Sequence, residues 1–241
     1  MAKINVVLRK EDLDPSFLSD KIAVVIDVLF ATSSIVSALG QGACDVYPAI
    51  NRQCALEIAR TLRQDSYVLA GESHLRNLDG FSGYSPLALS RQPLQGRSLV
   101  YATTNGTVAL RQAEGARHVY AAALLNAPAI VRQLRSHAGQ TLVLLCSGSA
   151  GRVNLEDLYL AGYLIHALME GAATDTWQLG DTCHIALAVY RQYQSPEHCL
   201  RQSQLGQLLT SGPLDEEVSY SAQVGFIDIV PRLQGHRVWA A

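Results

Sequence analysis

The sequence predicts an α/β protein, a three-layer α/β/α arrangement around a mainly parallel sheet. It reads as a single compact unit over residues 1–241, or as two closely packed lobes at 1–125 and 126–241. Three observations carry this. Short apolar runs alternate with stretches of helical period along the chain. The runs are unbroken, as expected of strands covered by helices on both faces, where half-exposed antiparallel strands would alternate. And each run stops abruptly at small or carboxylate residues.

The first run, Ile22–Ile26, ends at Asp27, and the helical pattern Ala31–Leu39 after it is closed by Gly40 and Gly42. A second helical pattern covers Asn51–Leu62 and leads to the run Tyr67–Ala70, which ends at Gly71 and Glu72. The stretch Ser73–Gln95 carries Gly80, Gly83, Pro86 and Pro93 with few periodic apolar positions; a loop that long is usually functional or flexible, and it is read as a cover over the site. Leu99–Ala102 ends at Thr103–Thr107, and the helix Gly106–Ala113 is closed by Gly115. His118–Leu125 is a fifth strand candidate, followed by a helix over Ala129–Ser136 with Pro128 near its first turn. The run Thr141–Leu145 ends at Cys146–Gly151, and the helix Leu155–Met169 is closed by Gly171. Helical stretches at Thr182–Tyr193 and Pro196–Leu209, then Pro213 and a strand-like Phe226–Val230, complete the chain.

Open parallel sheets bind ligands beyond the carboxyl ends of their strands. Asp27, Glu72, Asn105 and the Cys146–Gly151 loop are therefore expected to converge.

Composition narrows the partner. At 49% hydrophobic residues the chain holds a large core, while charge is sparse at 17%, and the net of −2 contains no block of one sign. That leaves no electrostatic footprint for nucleic acid or an anionic membrane, and favours a small ligand. The longest apolar stretch, Val119–Leu125, is too short for a bilayer, and Lys10, Glu11 and Asp12 interrupt any signal-peptide core, so a cytoplasmic protein is expected. Five cysteines without a C-x-x-C pair argue for reduced thiols and against structural zinc.

Asp27 sits at the mouth of a buried strand, where a carboxylate needs a cation or donors to stay charged; a plain helix cap would fall more naturally to Thr32. Glu72, ending the second run, would repel Asp27 unless a divalent metal lay between them, and Mg²⁺ commonly takes one or two carboxylates with water and substrate phosphate. The alternative for Glu72 is a solvated loop carboxylate. Thr103, Thr104, Asn105, Gly106 and Thr107 suit either an anion receptor at a helix start or an ordinary capping turn. The Ser147–Gly151 loop, with Gly148, can bring backbone amides close to an anion. Asp157 has N3 spacing from Asn154, so catalysis and a variant capping box weigh equally, and Arg152 could neutralise phosphate or remain solvated. No G-x-G-x-x-G and no G-K-[ST] is present, whereas S-G-S-A-G at Ser147–Gly151, with Asp181 and His184 or His198 downstream, leaves a serine hydrolase using Ser149 as a rival.

At these residues the chain resembles the 2-phosphosulfolactate phosphatase family, magnesium-dependent enzymes that release phosphate from 2-phospho-3-sulfolactate on the route to coenzyme M. The resemblance is carried by Ile26-Asp27-Val28-Leu29 with Ala31-Thr32, by Gly71-Glu72, Gly80-Phe81 and Ser85-Pro86, by Thr103–Thr107, and by Cys146-Ser147-Gly148 leading to Leu155-Glu156-Asp157 and Ala161-Gly162. Two positions depart. Phe30 stands where the pattern has arginine, removing a bidentate anion clamp, and Tyr84 stands within the expected G-N-S-P. The resemblance implies Mg²⁺ as cofactor, with Asp27, Glu72 and Glu156 as metal ligands and Asp27, Asn105 and Asp157 in catalysis. Thr103, Thr104, Gly106, Thr107, Ser147, Gly148 and Arg152 would bind a small anionic phosphorylated metabolite, and a homodimer is the assembly it leaves open. With Phe30 in place of arginine, a non-catalytic anion-binding or regulatory protein on the same fold is the other reading.

Overall fold

A computed structural model of the protein describes residues 2–170 and 176–241. Among these the strands are β1 (Ala2–Val7), β2 (Ile22–Ile26), β3 (Asp45–Ala49), β4 (Tyr67–Ser73), β5 (Arg76–Asn77), β6 (Ser98–Ala102), β7 (His118–Ala122), β8 (Leu142–Cys146), β9 (Trp177–Leu179), β10 (Pro231–Gln234) and β11 (Arg237–Ala240). The helices are α1 (Ala31–Gly40), α2 (Arg52–Thr61), α3 (Pro86–Ser90), α4 (Gly106–Gln112), α5 (Ala127–Arg135), α6 (Leu155–Met169), α7 (Asp181–Gln192), α8 (Pro196–Gln202), α9 (Gln204–Thr210) and α10 (Asp215–Ser221). Gly171, the expected stop of α6, lies outside the described residues.

The strands form one mostly parallel sheet in the order β5-β4-β6-β3-β11-β10-β7-β2-β8-β1-β9, an α/β architecture consistent with three layers. At its centre β2 lies between β7 and β8, with Ile26 in register with Ala122 and Cys146. Every residue of β2 and β8 is fully buried, which is why these two runs are apolar without alternation. Strands from both sides of residue 125 pair with one another, β8 with β1 and β2, and β10 with β7.

The sheet is built from two parallel blocks. One comprises β4, β6 and β3, the other β7, β2, β8, β1 and β9. Between them sits the β10–β11 hairpin, antiparallel within itself, to β3 on one side and to β7 on the other. Three successive antiparallel joins reverse polarity, so the two blocks run in opposite local directions. The hairpin turns through Gly235-His236, with φ +58° at Gly235, the Gly-X order of a type II′ turn.

Several boundaries differ from the sequence expectation. Phe226–Val230 forms no strand; the strand begins at Pro231. His118–Leu125 stops as a strand at Ala122, then makes a short 3₁₀ turn over Leu124–Asn126. Pro196–Leu209 is two helices, broken at Ser203, whose hydroxyl accepts from the Gly206 N–H at 3.0 Å and so caps α9. The Tyr67–Ala70 run continues through Glu72 to Ser73 because β5 folds back onto it.

Helix α1 fixes the loops around the site. Its residues Ala31–Leu39 are all buried, and its hydroxyls find backbone acceptors. Thr32 Oγ1 donates to the Asp27 carbonyl (2.8 Å), Ser33 to Val28 (2.8 Å), Ser34 to Tyr84 (2.7 Å) and Ser37 to Pro86 (3.0 Å). Glu217 of α10 accepts from the Ser85 hydroxyl and from the Leu87 N–H. The 73–95 stretch, expected as a cover, is thereby fastened down as a wall.

Candidate active site

Loops from both blocks open into one cavity of about 510 Å³. The expected Asp27, Glu72, Thr103, Thr104 and Asn105 all line it, joined by Lys10 and Glu11 after β1, Phe30 before α1, Tyr84, Tyr101 and Ser149. The two blocks touch at this point. A Cβ added to Gly106, at the start of α4, would lie 2.6 Å from Asp27 Oδ2 and 2.5 Å from the Ala31 methyl. Glycine there lets the β6–α4 turn close on Asp27, a packing role for a residue expected to bind substrate.

Asp27 follows β2 directly and is 4% exposed. Its Oδ1 accepts from the Ala31 N–H at 3.3 Å, while its own N–H donates to Thr32 Oγ1. Burial pushes its carboxyl up to about 6, and the Glu72 charge adds to this, against the pull of hydrogen bonds from Ser147 and Ala31 and of the Lys10 ammonium. Glu72 is held by three donors: Thr104 N–H (2.8 Å) and Oγ1 (2.9 Å) on Oε1, and Leu75 N–H (2.9 Å) on Oε2. Those bonds pin it as an acceptor facing the cavity, and they use the Thr104 donors that an anion would have needed.

Lys10 is the residue sequence reasoning passed over. Its ammonium is buried, donating to Asn105 Oδ1 at 2.9 Å and to Glu11 at 2.7 Å. Its backbone N–H donates to the Ser147 carbonyl, tying the β1 loop to the end of β8. A weaker signal was present: Ile4–Leu8 is a mainly apolar run, interrupted at Asn5, that ends abruptly in polar residues, Arg9-Lys10-Glu11-Asp12, of which Lys10–Asp12 had served only to exclude a signal peptide. With Oδ1 occupied by Lys10, the Asn105 amide group has only long contacts, to Thr104 Oγ1 (3.4 Å) and Ser149 Oγ (3.5 Å), and remains free to turn to a ligand.

Thr107, Ser147, Gly148, Glu156 and Asp157 do not line the cavity. Thr107 and Thr103 satisfy each other, the Thr103 N–H donating to Thr107 Oγ1 and the Thr107 N–H to Thr103 Oγ1. Asp157 makes no capping box with Asn154. It accepts from Val28 N–H (3.0 Å), Ser147 Oγ (3.2 Å) and Gly148 N–H (3.4 Å), joining the ends of β2 and β8. Burial, with Asp27 and Glu156 near it, pushes its carboxyl well up. Gly148 adopts φ +63°, which glycine allows, and a side chain there would also meet the Arg152 carbonyl and Arg9. Glu156 is buried and turned to Ser203, with Oε1 lacking a hydrogen-bond partner among the described residues; burial raises its carboxyl to about 7. Arg152 is exposed and does not line the cavity.

Ser149 faces the cavity, yet its hydroxyl is held by Asn154 (3.0 Å) and approached by Asn105, with no histidine among its hydrogen-bond partners in the described residues. The arrangement gives a serine nucleophile no base. For a divalent cation the donor set fits. Among the described residues no three His, Cys, Asp or Glu side chains cluster as a protein-only metal site. Two carboxylates, Asp27 and Glu72, do line one cavity, a set of the kind Mg²⁺ takes when water and phosphate complete its shell. No helix among the described residues is long and apolar enough to cross a membrane.

The family model for 2-phosphosulpholactate phosphatase matches residues 7–236. A protein of Deinococcus radiodurans named "Probable 2-phosphosulfolactate phosphatase" is 37% identical over 224 residues, spanning 92% of this chain and 91% of the relative. A Symbiobacterium thermophilum protein of the same name is 34% identical, covering 89% and 91%, and one from Clostridium beijerinckii is 28% identical, covering 98% of both. With a match of this extent, and with a cavity built by the very segments that carry the family's motifs, the chain belongs to the 2-phosphosulpholactate phosphatase family and is a phosphoric monoester hydrolase.

Proposed function

We propose that this protein is a Mg²⁺-dependent phosphatase that cleaves a small phosphomonoester of a 2-hydroxy acid, the reaction its relatives are named for with 2-phospho-3-sulfolactate. The observation that carries the reading is the meeting of Asp27 and Glu72, delivered by separate blocks of the sheet, in one cavity beside a buried ammonium. Asp27 and Glu72 would hold the cation. When bound, Mg²⁺ neutralises phosphoryl charge and lets two carboxylates coexist at short range.

The chain's own groups supply the rest. Lys10 places a charged donor in the cavity and fixes the Asn105 carbonyl, which leaves the Asn105 amide to donate to a phosphoryl oxygen. Hydrolysis breaks the bond between phosphorus and the alcohol oxygen. A water oxygen, or Asp27 followed by water, bonds to phosphorus, and the departing alkoxide takes a proton. Positioning and charge neutralisation account for most of the acceleration in such transfers.

The test is Asp27→Asn. The substitution keeps the shape and the Ala31 contact, so circular dichroism should match the parent and melting should be no lower, while Mg²⁺-stimulated phosphate release from 2-phospholactate is lost. Retained turnover at the parental rate would refute the assignment.

A further inference from the structure

The cavity has two unlike sets of lining residues, and the second is not explained by phosphate chemistry. Among the lining residues Phe30 and Tyr84 pack against each other with ring centroids 6.2 Å apart, and Leu29, Leu75, Leu205 and Tyr101 add to the carbon-rich lining. Neither tyrosine offers its proton to a ligand. The Tyr84 hydroxyl donates to the Leu75 carbonyl at 3.0 Å, and the Tyr101 hydroxyl to the Tyr84 carbonyl at 2.6 Å. Burial raises the Tyr84 phenol to about 12, so it stays neutral. What these side chains present to the cavity is carbon.

The charge inventory points the same way. Among the described lining residues Lys10 is the one lysine or arginine and His74 the one histidine, against three carboxylates, Glu11, Asp27 and Glu72. Lys10 is itself already paired with Glu11. One ammonium and one divalent cation match a phosphate and a carboxylate; a sulfonate on the same substrate would be left against aromatic carbon, where an unpaired ion is costly. A cavity of about 510 Å³ also exceeds what a three-carbon phosphoester fills.

We propose that Phe30 and Tyr84 form a specificity pocket for an apolar or aromatic substituent, so that the substrate is a phosphomonoester of a 2-hydroxy acid bearing a hydrophobic group in place of a sulfonate. This rests on the phosphatase reading above and deepens it. A ring in that pocket buries its faces against two aromatic side chains and leaves phosphate and carboxylate to the polar lining residues.

The experiment compares 2-phospho-3-phenyllactate, 2-phospholactate and 2-phospho-3-sulfolactate by phosphate release with Mg²⁺, and 3-phenyllactate with 3-sulfolactate by isothermal titration. The expected result is a kcat/KM for the phenyl ester at least about 10-fold above both others, tighter binding of phenyllactate, and loss of both preferences in Phe30→Arg. Preference of the parent protein for the sulfonate, or a phenyl ester no better than the methyl one, overturns the pocket and leaves the phosphatase reading standing. Selective binding of phenyllactate without release from any ester supports the pocket and overturns the phosphatase reading. Neither binding preference nor hydrolysis overturns both. The wild-type comparisons decide the matter even if Phe30→Arg fails to fold.

Discussion

Glu156 shows most directly what a buried charge does to this protein. It does not line the cavity, its one side-chain hydrogen-bond partner among the described residues is Ser203, and burial raises its carboxyl to about 7. Its folded-state value lies above the unfolded one, so the native state binds the extra proton. Stability from this group is therefore full below about pH 4.5, declines as pH rises through about 7, and is gone above that. Glu156→Gln removes the ionisation. The variant should be more stable than the parent at pH 8, on the order of 2 kcal/mol, with the advantage disappearing at pH 4.5; urea titrations at the two values check this. An equal loss of stability at both would mean that Glu156 acts through packing. At this scale the sequence showed which loops carry chemistry and less of which way each side chain turns. Asp27 and Asn105 were legible because an apolar strand ending in a polar residue points outward from the core. Asp157 and Thr107 lie in the first turns of the helices that follow such strands, yet their bonds run backwards to Val28 and Thr103, and residue type does not encode that direction.

Helices were more legible than strands. The α6 range Leu155–Met169 is the one expected, because a long, largely apolar run with a clear start and a glycine after it leaves little choice. The α8–α9 break escaped because the apolar period runs on through Ser203 while its hydroxyl caps a new helix. β1 and β3 escaped because one is partly exposed and alternating and the other contains Pro48. Between elements, α6 and α7 approach so closely that Gly162 is required: a Cβ there would lie 2.1 Å from the Ala186 carbonyl oxygen and 2.7 Å from Tyr190 Cβ. On an isolated helix Gly162→Ala would stabilise by about 1 kcal/mol. Here the backbone of α7 must move, and a net loss of about 1–3 kcal/mol is expected from overpacking. A lowered melting temperature with unchanged KM for 2-phospholactate would confirm a purely structural effect; a raised melting temperature would show that the helices separate at no cost.

For the whole molecule, the convergence of Asp27, Glu72 and Asn105 was anticipated, but from a sheet whose strands all point one way. The actual route is different, since the antiparallel hairpin reverses one block relative to the other. Adjacent strands twist by roughly 20–25°, and β6 and β2 are five steps apart in the sheet. Strand direction therefore turns by roughly 100–125° between them, and reversal then leaves the two sets of strands inclined towards a shared space, where the turn at Gly106 meets Asp27. The sequence hid this because the hairpin is short, follows an irregular segment and starts with proline. If the hairpin is the seam that sets the site, a charge placed in it should disable a cavity it never touches. Val238 is fully buried and in register with Val46 of β3, whereas its neighbour Trp239 is 42% exposed. Val238→Asp buries an unpaired carboxylate at a cost of several kcal/mol, a large share of the 5–15 kcal/mol typical of a folded chain. Loss of cooperative unfolding together with phosphatase activity is expected, while Trp239→Asp, on the alternate face of the same strand, keeps both. Full activity in Val238→Asp would mean that the two blocks hold their relative position without the hairpin, through α1 and α4 alone.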